Sequence, residues 1–345
     1  MLQFPKAMTA DTFLAGFWQK APLFLPQAVD SLRPSISRNE LAWLATCDDV
    51  ESRIVFCDRQ QAATRYRAET GPFDEAYLQT LPARDWTLLV HDVEKHLPAM
   101  RRLFDLVPFV PDWRIDDLMV SFAAPGGGVG PHRDNYDVFL CQGIGIREWR
   151  VTTTDVADAR SASEELRLTA EFDGESCHSA RQGDVLYLPP GVAHWGIATR
   201  ACMTYSIGMR APDWYGDPDL TSGEAQPGYL SPQALRRAGQ RADELGASAT
   251  QTKEWLRPDA PAGDDIRRLL DSQALLRRLT LHGMARIAFD DTQIYLNGIT
   301  RVAAQSDLEC IRELCARRRM NSRLLNIITP DFLTWLLANS AFEAP

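Results

Sequence analysis

The chain has 345 residues, 45% of them hydrophobic and 24% charged, with a net charge of -9 from 37 basic and 46 acidic residues. That length suffices for two or three domains, and the acidic balance excludes nucleic-acid binding through bulk charge while suiting a basic protein partner. Seven scattered cysteines with no C-x-x-C pair exclude a disulfide framework or zinc knuckle. An opening without the build of a signal peptide, and the absence of a membrane-length apolar window, lead to the expectation of a cytoplasmic protein with no membrane partner.

In chain order, Thr9 opens a short capped helix on which Phe13, Leu14 and Phe17 share a face, followed by the extended apolar stretch "APLFLPQA". Residues 38–46 and 94–105 are predicted helices, and "RIVFCD" and "DWTLLVHDV" predicted strands. From about 114 to 212 the texture becomes β-rich. "RIDDLMVSFAAP", "DVFLCQG", "REWRVTTT", "LRLTAEF", "DVLYLPP" and "MTYSIGM" are short runs separated by Gly, Pro, Asn and Asp, as in a double-sheet antiparallel sandwich or barrel. Residues 231–281 read as helical, starting at "SPQ" with a Ser cap and Pro at the first position. The last portion, from about 284 to 345, reads as two β-like runs in "RIAFDDTQIYLNGITRVA" and two helices, "DLECIRELCARRR" and "TPDFLTWLLANSAF".

The stretch "GGGVGPHRDNYDVF" carries the chemistry. In extended chain, residues two apart project to one side, so His132 and Asp134 point together and Arg133 points away. The segment "GDVLYLPPGVAHWG" runs a buried strand into a Pro-Pro-Gly turn and sets His194 inside the next segment. Two histidines and a carboxylate form the facial set that holds non-haem Fe(II), leaving three positions open for a chelating co-substrate and dioxygen. The same three side chains also serve catalytic zinc. The glycine run lacks the Gly-Lys-Ser/Thr ending of a phosphate cradle and serves instead to turn the backbone tightly near the site.

These motifs, "DDLMVSFAAPGGGVGPHRDNYDVFLCQGIGIREWRV", "GDVLYLPPGVAHWG" and "YSIGMRAP", together with "FLAGFWQKAPLFLPQA", resemble the bacterial ribosomal oxygenases of the Jumonji C (cupin) family. The resemblance implies an α+β chain. Its parts would be a double-stranded β-helix of the cupin or jelly-roll type over residues 1–212, a helical dimerisation region over 213–283 and a winged-helix-like domain over 284–345. It implies Fe(II) on His132, Asp134 and His194, with 2-oxoglutarate as co-substrate and dioxygen as oxidant. Arg147 stands where the family pairs the co-substrate carboxylate, a match for the planar guanidinium fork, and Ser121 where the family helps hold it. The implied reaction is hydroxylation of the β-carbon of an arginine in the sixteenth large-subunit ribosomal protein. Asp117, Tyr136 and Ser206 are the candidates to receive that arginine, with Asp116 a weaker one. A homodimer is implied as well.

Two other readings stay open on the sequence alone. One is the same chemistry on another protein residue or a small molecule; the other is a ribosome-associated adaptor without turnover. Ala123, Ala124 and Cys141 are small, which would change pocket volume. The basic run "CARRRMNSR" reads as a solvated helix end more than an RNA contact, so direct nucleic-acid binding is not expected.

Overall fold

The computed structural model describes all residues except 31, 33–35, 60–63, 160–165, 211–224, 254–255, 257–258, 260 and 344–345. The chain divides into two compact units, one of Met1–Val107, Asp116–Ala211 and Gly216–Thr221, the other of Pro108–Ile115, Pro212–Tyr215 and Ser222–Pro345. The expected boundary at 212/213 lies outside the described residues.

Among its described residues the first unit holds twelve strands: β1 (Leu23–Leu25), β2 (Ser52–Arg59), β3 (Thr64–Thr70), β4 (Trp86–Val90), β5 (Ile115–Ala123), β6 (His132–Arg133), β7 (Val138–Ile144), β8 (Ile146–Thr152), β9 (Ser176–Arg181), β10 (Val185–Leu188), β11 (Ala193–Ala198) and β12 (Cys202–Met209). They form an eight-stranded sheet in the order β1-β10-β7-β12-β5-β4-β2-β3 and a four-stranded sheet in the order β6-β11-β8-β9. From β5 to β8 successive strands fall in alternate sheets, which is the winding of a double-stranded β-helix. The α+β jelly-roll expectation therefore holds.

The sequence explains this local structure. Thr9 caps Ala10–Gly16 with a full capping box, and Ser37 does the same for Arg38–Leu44 through Glu40. Phe13 and Trp18 then pack on Phe139 and Tyr187, fastening the opening segment to the outer face of the large sheet. One apolar cluster joins Val138 and Leu140 of β7 and Leu186 and Leu188 of β10 to Trp149 and Val151 of β8 and Ala180 of β9. These side chains define the faces that the two sheets turn toward each other. Burying each large one contributes roughly 1.5–3 kcal/mol.

Three expectations need correction. The helix predicted over 94–105 stops at His96, and a 3-10 helix follows over Pro98–Leu106; Pro98 supplies no N–H and disfavours helical backbone at Leu97. "LRLTAEF" forms no strand; it makes only the single bridges His132 to Leu168 and Asp158 to Thr169. "RIAFDDTQIYLNGITRVA" contains three strands rather than two, because the Asn297-Gly298 turn folds its second half into a hairpin.

In the second unit these are β13 (Ile287–Phe289), β14 (Gln293–Leu296) and β15 (Ile299–Val302), an antiparallel meander. Helices Gln305–Arg317, Ser322–Ile327 and Pro330–Ala338 follow it. Ser231 caps the helix Pro232–Ala238 as expected. Leu269 and Leu276, from helices before residue 284, share one core with Phe289, Ile294, Ile311, Leu314, Phe332 and Leu336 after it. Among the described residues no helix is long and apolar enough to cross a membrane.

Candidate metal centre and the cavity around it

His132 and His194 lie directly opposite each other across the antiparallel pair β6 and β11. Directly opposed residues share a face, and the two rings stand 4.2 Å apart, centre to centre. Asp134 follows β6 and turns the same way. Its carboxylate lies 3.8 Å from His132 Nε2 through Oδ1 and 3.6 Å from His194 Nε2 through Oδ2. One ligand atom from each of the three residues falls within 4.8 Å of the others, and among the described residues this is the one group of such side chains that could hold a metal.

The backbone prepares these rings for a metal. His132 Nδ1 lies 3.0 Å from the Gly130 carbonyl, and His194 Nδ1 lies 3.0 Å from the Val192 carbonyl. A carbonyl only accepts, so each Nδ1 carries a proton, and in the neutral ring the Nε2 lone pair is the one turned toward a metal. Burial pushes His194 down to about 4, the neighbouring His132 adds to this, and Asp134 opposes it; the neutral, ligating form persists well into acid. Gly130 has φ +87°, and a Cβ there would meet Leu168 and Tyr66, so the turn that aims His132 requires glycine. Arg133 points away, as alternation demands, to Asp155 at 2.9 Å and Asp158 at 3.5 Å.

On the small sheet, β8 sets Arg147, Trp149 and Val151 opposite Ala198, Gly196 and His194 of β11. Arg147 thus faces inward with the histidine. It is 5% exposed. Its Nη1 donates to Ser121 Oγ at 3.5 Å, while Nε and Nη2 are buried without a partner. A buried guanidinium with unused donors is costly unless an anion completes it. Gly196 makes room for the Trp149 indole, whose nearest carbon would stand 2.5 Å from an added Cβ.

On the large sheet, Ser121 of β5 faces the same interior, so alternation turns Asp117 and Met119 inward too. Asp117 Oδ1 would stand 2.9 Å from a Cβ on Gly208 of β12, and Tyr136 Cε2 at 3.9 Å from it. Burial raises the Tyr136 phenol, and the carboxylates of Asp134 and Asp117 raise it further. Tyr136, 36% exposed, therefore stands near both the triad and Asp117. Ser206 is buried opposite Leu140 and shares its inward face. Asp116 faces the other way and pairs with Arg210 at 3.0 Å. Cys141 also departs from expectation: it lies opposite Tyr205 and Val185, on the face of β7 away from Leu140, and borders no part of this interior.

Arg53 and His91 join this interior without belonging to any motif in the sequence. His91 follows the fully buried β4 run and is two residues beyond Leu89, whose register partner is Ser121; that alternation was the available signal. Beside them Glu94 is fully enclosed and accepts from the Leu118 N–H at 2.9 Å. Burial pushes its carboxyl from the ordinary 4.5 up to about 7; Lys95 opposes the rise, and Asp117 and Asp92 add to it. The folded protein then holds a proton that the unfolded chain has released. The stabilisation is complete below about pH 4.5 and is lost as pH rises through about 7. Glu94→Gln should remove that decline, worth up to ~3 kcal/mol, and melt higher than the unaltered protein at alkaline pH. Urea melts on either side of neutrality check this.

An interior of this kind, two facing antiparallel sheets with a histidine–carboxylate–histidine set and an unsatisfied guanidinium between them, defines a cupin-type metal enzyme. A model of the JmjC domain matches residues 102–216. The chain is 35% identical over 263 residues to the ribosomal protein uL16 3-hydroxylase of Escherichia coli, spanning 70% of this chain and 69% of that one. The crystal structure of the E. coli ribosomal oxygenase YcfD superposes with a TM-score of 0.73 at 28% identity, over 99% of each chain. The structure of YcfD in complex with cobalt and 2-oxoglutarate gives 0.71 at 30% identity, over 96% of each. The chain belongs to the ribosomal oxygenases of the Jumonji C family.

Proposed function

We propose that this protein is an Fe(II)- and 2-oxoglutarate-dependent dioxygenase that hydroxylates the β-carbon of an arginine in the large-subunit ribosomal protein uL16. The observation that carries the reading is Arg147. It is a buried cation with unused donors on the same inner face as three converging metal-type ligands, and it fits a dicarboxylate co-substrate. The E. coli relative is named a ribosomal protein uL16 3-hydroxylase, and YcfD forms a complex with cobalt and 2-oxoglutarate.

His132, Asp134 and His194 hold the iron through Nε2, a carboxylate oxygen and Nε2. Iron rather than zinc suits the proposed oxidation because zinc has no redox chemistry, while Fe(II) on two histidines and a carboxylate keeps open positions for a chelating acid and dioxygen. When bound, Fe(II) with 2-oxoglutarate and dioxygen supplies the oxidising power that places an oxygen atom on the side-chain carbon. The chain's own residues do the remaining work. Arg147 clamps the co-substrate carboxylate and Ser121 orients Arg147. Asp117 receives the substrate guanidinium, with Tyr136 and Ser206 as hydroxyl partners. Trp149 and Val151, buried beside His194, keep water from that side of the metal set.

Incubating the protein with recombinant uL16, Fe(II) and 2-oxoglutarate should add one oxygen to a single arginine, read by tandem mass spectrometry, with one succinate per hydroxylation. Unmodified uL16 after full 2-oxoglutarate consumption would end the substrate assignment. We assign dimerisation to the helical region of 213–283 and a winged-helix-like part to 284–345. Light scattering on the full chain should give twice the monomer mass of 38.7 kDa, and a monomer would refute the assignment.

A further inference from the structure

His91 bridges two charged residues on the inner face of the large sheet. Arg53 of β2 approaches His91 Nε2 through Nη2 at 3.3 Å. His91 Nδ1 lies 3.3 Å from Asp117 Oδ2. Guanidinium only donates and carboxylate only accepts. The two contacts together therefore fix the ring: Nε2 accepts from Arg53 and Nδ1–H donates to Asp117. In the other tautomer the Nε2–H would face an Arg53 N–H while Nδ1 faced an oxygen, losing both bonds. Arg53 thus decides which nitrogen of His91 is the donor.

The effect falls on one oxygen of Asp117. Oδ2 takes the His91 Nδ1–H and lies 3.5 Å from the Asp92 backbone N–H. Oδ1 turns to the other side, against the bare Cα of Gly208, where an added Cβ would be 2.9 Å away. An acid kept only to tie strands together would spend both oxygens on the protein. Here Oδ2 is anchored, while Oδ1 packs against Gly208 next to Tyr136 and takes no hydrogen bond from a described residue. His91 and Asp117 have equal side-chain exposure of 17%, so the array is partly shielded and its hydrogen bonds are stronger than at a free surface.

We propose that His91 is a positioning residue for substrate. Held as the Nδ1–H tautomer by Arg53, it anchors Asp117 Oδ2 so that Oδ1 is presented to the arginine side chain of the target protein. This rests on the reading that Asp117 receives that arginine. A carboxylate fixed by one edge offers its remaining lone pairs in a set direction, and directional pairing is what separates a guanidinium from an ammonium ion. The role therefore belongs to binding and leaves the oxidation step alone.

The test is steady-state kinetics of the full chain with recombinant uL16, comparing His91→Leu, His91→Asn and Asp117→Asn. The Asn side chain places an N–H where His91 Nδ1 stands, whereas Leu offers none. His91→Leu should raise KM for uL16 about tenfold, the effect of losing one charge-assisted hydrogen bond. Its kcat and its KM for 2-oxoglutarate should stay within about twofold. His91→Asn should restore KM to within about threefold of the unaltered protein. If Leu disturbs packing, shown by a lowered melting temperature, His91→Ala takes its place against the same Asn variant. An unchanged KM in the Leu or Ala variant, or equal damage from Asn, overturns the positioning role. A raised KM in Asp117→Asn under either of those outcomes would leave the Asp117 assignment standing. An unchanged KM in Asp117→Asn removes that assignment and this proposal with it, as does failure of the unaltered protein to hydroxylate uL16.

Discussion

Asp134→Ala should abolish succinate release from 2-oxoglutarate and eliminate the visible band expected when Fe(II) and 2-oxoglutarate are added without oxygen. The reason is the division of labour in the triad. An imidazole ligates a metal as a neutral ring, here through Nε2 with Nδ1 turned to a backbone carbonyl, so of the three side chains only Asp134 can bring negative charge to the ion. Loss of a residue that merely supports a metal ligand costs about 10–100-fold in affinity or activity; loss of the charged ligand itself should exceed this and leave turnover at background. The fold should survive, because Asp134 lies in the turn after a two-residue strand and is partly exposed. Its backbone carbonyl still accepts from the Gly191 N–H at 2.7 Å. Unchanged far-ultraviolet circular dichroism with no band and no succinate is the expected pair of results. Persistent turnover in a well-folded variant would show that the ligands lie elsewhere.

Arg147→Met should raise KM for 2-oxoglutarate about 100-fold, corresponding to ~3 kcal/mol for charge-assisted contacts in a buried site. Melting temperature without co-substrate gives a second, independent sign. The guanidinium is buried with two donor groups unused, and replacing it with an apolar chain of similar length relieves that cost. Met should therefore stabilise the empty protein, or leave it unchanged, while crippling co-substrate binding. An arginine that served packing alone would show the reverse. Arg147→Lys should fall between the two, since a point charge keeps attraction but loses the planar fork. Titration with 2-oxoglutarate together with thermal melts of all three proteins decides the matter.

Much of this site is legible in the amino-acid sequence. His132 and Asp134 stand two apart after a glycine turn, and the Pro-Pro-Gly turn delivers His194 onto the next strand; both patterns are local, so the chain displays them directly. Arg147 is different. That two of its donor groups go without a hydrogen bond depends on what the other strands bring near it, and one position on an alternating strand carries no sign of that. Asp117 and Asp116 are adjacent and chemically identical, yet one faces Gly208 and the other pairs with Arg210. Only the facing of β5 separates them. The role of His91 is hidden in the sequence because it comes from Arg53 and Asp117, on two different strands. The strand expected at "LRLTAEF" failed for the converse reason: suitable composition, with only single bridges offered by its neighbours.

The alternation of β5, β6, β7 and β8 between the two sheets bears on how the chain reaches its native state. Few of these pairings can form by zipping neighbours together. Leu23 waits for Tyr187, and His132 waits for His194. Each such closure costs loop entropy before any contact repays it. Refolding of the first unit should therefore be slow for its size, on the millisecond-to-second scale typical of non-local β topologies. The meander and its following helices, built from sequence neighbours, have no such delay.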